Sequence, residues 1–125
     1  MNNNDEIEDV RHATYARLRT EFPDGRHPHV NIRQDGDGAV RATVSYVADF
    51  AGADKYVTAE AEEPTARWAV DVVFAMLPAQ RGVRAQERIS ELRASAAAHR
   101  TCAEELDERA AALEVGLNPA PVENV

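Results

Sequence analysis

The 125 residues include 22 acidic and 14 basic side chains, a formal charge of −8, and 44% of them are hydrophobic. That is enough apolar mass for one core and too little for two, and the carboxylate excess repels nucleic-acid phosphate while favouring a basic partner. The single cysteine, Cys102, excludes an internal disulfide and a cysteine-rich zinc site.

The start, MNNNDEIEDV, has neither the basic residues nor the apolar run of a secretion signal, so a cytoplasmic protein is expected. From Asp5 to Phe22 the residues Ile7, Val10, Leu18 and Phe22, with Thr14 and Tyr15 between them, recur at three- and four-residue steps. This is the period of a helix, and Asp5 with Glu8 resembles a capping box. Pro23, Asp24 and Gly25 end it. HVNIR then alternates Val30 and Ile32 with polar neighbours, QDGDG turns the chain, and AVRATVSYV places Val40, Ala42, Val44 and Tyr46 on one face. The two runs are predicted to form a hairpin. A third strand, KYVTAEAE, follows the loop around Gly52, with Val57, Ala59 and Ala61 inward and Tyr56, Thr58 and Glu60 outward.

Pro64 suits the first turn of a second helix, whose Trp68, Val72, Val73, Met76 and Leu77 are expected to cover the sheet. The stretch WAVDVVFAML is too short to span a membrane and carries Asp71 in its middle. Pro78 and Gly82 are expected to interrupt this helix and form a hinge. The fold class is therefore α+β: an α-β-β-β-α core over residues 1–78 with a three-stranded antiparallel sheet, a long C-terminal helix over 79–116, and a frayed tail over 117–125.

That element order is the topology of double-stranded RNA-binding domains, and VTAEAEEPTARWAVDVVFAML is similar to the last strand and helix of ribosome hibernation factors. The resemblance covers roughly residues 29 to 80 and implies a sheet backed by two helices, and an RNA- or ribosome-binding module as an alternative function. The chain departs from the RNA-binding pattern where that family clusters lysines to neutralise phosphate, because Glu60, Glu62 and Glu63 stand there.

In the long helix, Ile89, Leu92, Ala96, His99, Ala103, Leu106, Ala110 and Leu113 alternate three- and four-residue steps, a heptad seam. A helix from Arg84 to Val115 would be ~48 Å long, more than a core this small can cover. Antiparallel pairing of two copies sets Ile89 on Leu113, Leu92 on Ala110, Ala96 on Leu106 and His99 on Ala103, matching large with small in three of four layers. Charge agrees: from Arg81 to Arg100 five arginines face Glu87 and Glu91, whereas from Thr101 to Val115 only Arg109 offsets five acids. This opposes the helix dipole but suits antiparallel partners. In that register Arg93 faces Asp107, and Cys102 lies beside its symmetry mate. Two rival expectations are a helix folded back on its own sheet or first helix, and a break at Thr101, which with Glu104 matches a capping box.

Candidate chemistry is sparse. His27 and His29 flank Pro28 with Asp24 nearby, half of a metal site without a third ligand. Asp35 and Asp37 lack the twelve-residue calcium pattern, and His99 with Cys102 lacks a pocket and an oxyanion donor. No nucleophile elbow or phosphate loop occurs, so neither an enzyme nor a cofactor is expected. The exposed strand face, with Asn31, Arg33, Arg41, Thr43, Ser45, Tyr56 and Thr58, has the residue types of a recognition surface. The acidic set Glu60, Glu62 and Glu63 adds a patch able to imitate phosphate spacing. The chain is thus read as a non-enzymatic binding or regulatory protein, homodimeric through the seam, with an unknown protein partner met by Arg33, Arg41, Tyr56, Glu60, Glu62 and Glu63. One form of this reading is an acidic inhibitor of a nucleic-acid-binding machine, of the kind phages encode. Direct nucleic-acid binding is disfavoured.

Overall fold

The computed structural model describes residues 3–117. Its elements run α1 (Asn3–Glu21), β1 (Arg26–Gln34), β2 (Val40–Phe50), β3 (Ala53–Glu63) and α2 (Ala66–Leu117), an α+β fold in the expected order. The chain divides into two compact units between Arg88 and Ile89. The first contains α1, the sheet and the start of α2, and the second continues α2.

The sheet is antiparallel in the order β1-β2-β3. Val40, Ala42, Val44 and Tyr46 of β2 are buried, and so are Val30 and Ile32 of β1 and Val57 and Ala59 of β3, so the period-two patterning sets the inner face as anticipated. Each buried valine in this set, and Ile32, contributes roughly 1.5–3 kcal/mol. Arg41, Thr43 and Ser45 occupy the alternate positions of β2 and are half-buried.

Two tight turns set the registers. In QDGDG the Gly38 N–H donates to the Asp35 carbonyl at 3.0 Å, the Ala39 N–H donates to Asp37 Oδ1 at 3.1 Å, and Gly38 takes a φ of 91°. Between β2 and β3 only Ala51 and Gly52 turn the chain, with φ of 53° and 88°. Two positive φ values are what a type I′ hairpin turn requires, and at Ala51 a Cβ makes that conformation strained.

α1 begins earlier than the capping-box reading places it, at Asn3, so Asp5 and Glu6 lie in its first turn facing the positive end of the dipole. Glu8 turns to Arg11 at 2.7 Å instead of closing the box. Val10, Thr14 and Leu18 are its buried face, and the Thr14 hydroxyl donates to the Val10 carbonyl at 2.6 Å, so this buried polar side chain is satisfied.

α2 corrects two expectations. Its core face is Ala66, Ala69, Val70, Val73, Phe74 and Leu77, which includes Val73 and Leu77 as expected, whereas Trp68 is 54% exposed, Met76 also points outward and Val72 is half-buried. Both sides of this stretch are apolar, and the side carrying Phe74 and Leu77 is the one that joins the core. The helix also continues through Pro78 and Gly82, where a hinge was expected. Pro78 is exposed, Leu77 before it is fully buried, and arginines after it are anchored, so packing on both sides outweighs the lost backbone hydrogen bond.

Candidate interaction surfaces

Two arginines beyond Pro78, Arg81 and Arg88, attach α2 to the rest of the first unit, and a third, Arg84, pairs within the helix. Arg81 forms a bidentate ion pair with Asp24, donates to the Tyr46 hydroxyl at 3.1 Å, and lies over the rings of Tyr46 and Phe50. Its hydrogen bonds with Asp24 and then Tyr46 hold its pKa above the ordinary arginine value, while the same Arg81 hydrogen bond pulls Asp24 below the usual carboxylate range. Burial pushes the Tyr46 hydroxyl upward. Arg84 pairs with Glu87 at 2.6 Å. Arg88 donates to the carbonyls of Phe50 at 2.9 Å and Ala51 at 2.7 Å, bracing the strained turn.

These anchors revise the charge reading of the long helix. Arg81, Arg84 and Arg88 are engaged within the first unit, so the basic part left in the second unit is Arg93 and Arg100 against Glu91. The acidic part, with Glu104, Glu105, Asp107, Glu108 and Glu114 against Arg109, is unchanged. Within the second unit every described residue from Ile89 to Leu117 is exposed. Of the seam residues, Leu106 is 61% and Leu113 68% exposed, and Ile89, Leu92, Ala96, His99, Ala103 and Ala110 are open to solvent with them. The helix also runs unbroken through Thr101, whose hydroxyl donates back to the Ala97 carbonyl at 3.1 Å instead of capping a new start. Cys102 is exposed and free.

The outer sheet face gathers part of the expected recognition set. Arg33, Arg41 and Glu62 are aligned across the three strands, and Asn31, Thr43 and Glu60 form the next row. Arg41 reaches Glu60 at 3.3 Å and Glu62 at 3.4 Å, with Asp35 at 3.8 Å, and Arg33 reaches Asp35 at 3.7 Å. Two cations thus sit among Asp35, Asp37, Glu60 and Glu62, and the patch is acidic on balance. Asp35, Asp37 and Glu62 bring carboxylate oxygens within 4.8 Å of one another. Tyr56, 68% exposed, lies on the same face farther along β3 beside Val47. Glu63 does not join them, because it falls on the inner face with Val57, Ala59 and Ala61 and is half-buried.

His27 and His29 are both exposed, separated by Pro28 at an irregularity where His27 takes a φ of 51°. A shallow cleft of about 210 Å³ lies between α1 and α2, lined by Val10, Thr14, Arg17, Arg67, Val70 and Asp71. Arg17 crosses it to Asp71 at 2.8 Å and covers the Phe74 ring at 4.1 Å. The sequence signals neither this bridge nor the Arg81 cluster, since each joins residues more than fifty positions apart. No helix among the described residues is long and apolar enough to cross a membrane. No protein-family model matches the chain, and comparison with curated proteins finds no match.

Proposed function

We propose that this chain is a non-enzymatic, cytoplasmic binding or regulatory protein that self-associates through residues 89–117 and presents its acidic sheet surface to a basic protein partner. The observation that carries the self-association is the exposure of the whole heptad seam: leucines at 92, 106 and 113 and Ile89 stand in water on a continuous helix. A second copy running the opposite way covers them, with Ile89 on Leu113 of the partner subunit and Ala96 on Leu106 of the partner subunit.

Layer volume supports this orientation more than charge does. With three arginines engaged elsewhere, the flanking attraction reduces to Arg93 facing Asp107 of the partner subunit, repeated by symmetry. The same register brings Arg100 against its own symmetry mate, since the two-fold passes beside residue 101. Exposed pairs of this kind are worth about 0.2–1 kcal/mol each, so they tune register, and the seam supplies affinity.

The acidic balance around Arg41 favours a basic protein over nucleic acid, because both arginines of that face already lie beside carboxylates. The cytoplasmic setting fits a lone, exposed, unpaired thiol. Sedimentation of the full chain tests the self-association. A dimer that Leu106→Asp converts to monomer supports it, and a monomer at micromolar concentration contradicts it.

A further inference from the structure

The two edges of the sheet are built differently. β1 is blunted: its pairing with β2 is irregular between Arg26 and His29, His27 is left-handed, Pro28 has no amide hydrogen, and the Val30 N–H donates to the Tyr15 hydroxyl at 3.2 Å. Such devices keep another strand from adding to an edge. β3 has no proline and no register shift, and it pairs with β2 in unbroken register from Ala53 to Glu63. Its outer edge leaves alternate backbone groups directed away from the sheet along eleven residues.

The side chains beside that edge define what it accepts. Asp54 on one side of Tyr56 and Thr58, and Glu60 and Glu62 on the other, point to the outer face, and Glu60 and Glu62 share Arg41 with Asp35. A second copy of β3 would lay carboxylates against carboxylates, a costly cross-strand arrangement. A strand with arginine or lysine at every second position would meet Glu60 and Glu62 directly and keep its other side chains on the face of Val57 and Ala59. We infer that β3 is a strand-addition site for an extended basic segment of a partner protein, held by backbone hydrogen bonds and selected by Glu60 and Glu62.

This site gives the proposed basic partner a binding mode, and it does not depend on dimerisation, because β3 lies in the first unit. The test is residue-resolved amide hydrogen exchange on the full chain with a blocked peptide of roughly nine residues, alternating arginine and valine. Two control peptides carry glutamate for arginine, or a central proline. The expected result is slowing by about tenfold or more at every second amide of β3, absent with either control and weakened several-fold by Glu60→Gln with Glu62→Gln. Absence of β3 protection at millimolar peptide would overturn the inference, as would protection of β1 instead or equal protection by the glutamate peptide. Concentration-dependent β3 protection without peptide would also overturn it, by placing a second copy on the edge. Sedimentation of the same sample reads the dimer separately, so failure of one reading is distinguishable from failure of the other.

Discussion

Arg81 on α2 and Asp24 in the loop after α1 meet through a bidentate ion pair, 57 residues apart in sequence, with the Tyr46 hydroxyl as a third member. The contact ties the helix, past its internal proline, to the end of the sheet. Arg81→Ala leaves the Tyr46 hydroxyl without this donor and is expected to lower stability by about 1–3 kcal/mol in urea unfolding. Asp24→Asn is milder, about 1 kcal/mol or less, because the pair is partly exposed. The pH sign follows from the lowered pKa of Asp24. Its contribution is present above the unfolded-state value of about 3.9 and disappears as pH falls through the folded-state value. Unfolding curves of wild type and Asp24→Asn should therefore differ at pH 7 and converge in acid.

The face that α2 turns to the sheet can be tested by a contrast between two large aromatics. Phe74 is buried and Trp68 largely exposed. Phe74→Ala should cost about 3–5 kcal/mol, and Trp68→Ala less than about 1 kcal/mol. Equal losses in thermal or chemical unfolding would place Trp68 in the core after all.

Ala51 occupies a left-handed position that glycine adopts without a Cβ penalty. Ala51→Gly should stabilise the hairpin by about 1 kcal/mol and raise the melting temperature. Arg88 still grips both turn carbonyls in that variant, so the conformation is kept.

Much of the sheet was legible because alternation in AVRATVSYV and HVNIR leaves one reading of which side faces inward. α2 was less so. Val73 and Leu77 are expected inward and are buried, but residue size also draws Trp68 and Met76 inward, where Val70 and Phe74 stand instead. Pro78 reads as a stop from local propensity, whereas buried Leu77 and the anchors at Arg81 and Arg88 are tertiary facts. The seam from Ile89 to Leu113 is visible as a pattern, but the distant contacts of Arg81 and Arg88 are not, and with Arg84 paired to Glu87 they leave Arg93 and Arg100 as the basic charge of that half.

Arg100 offers a direct check on register. In the antiparallel pairing it confronts its own mate, so Arg100→Gln should tighten the dimer by roughly 0.2–1 kcal/mol, read as a lower dissociation constant in sedimentation equilibrium. An unchanged or weaker dimer would argue for another register.

The orientation of the two helices is decided by the distance between spin labels on Gly116→Cys in a Cys102→Ser background. Gly116 is open to solvent and lies fifteen positions from the two-fold beside residue 101. Antiparallel pairing places the two labels about 45 Å apart, from a rise of about 1.5 Å per residue on each side. A short distance of about 10 Å, the spacing of adjacent helices, would mean parallel pairing, and absence of any intermolecular distance at micromolar concentration would mean that the seam does not self-associate.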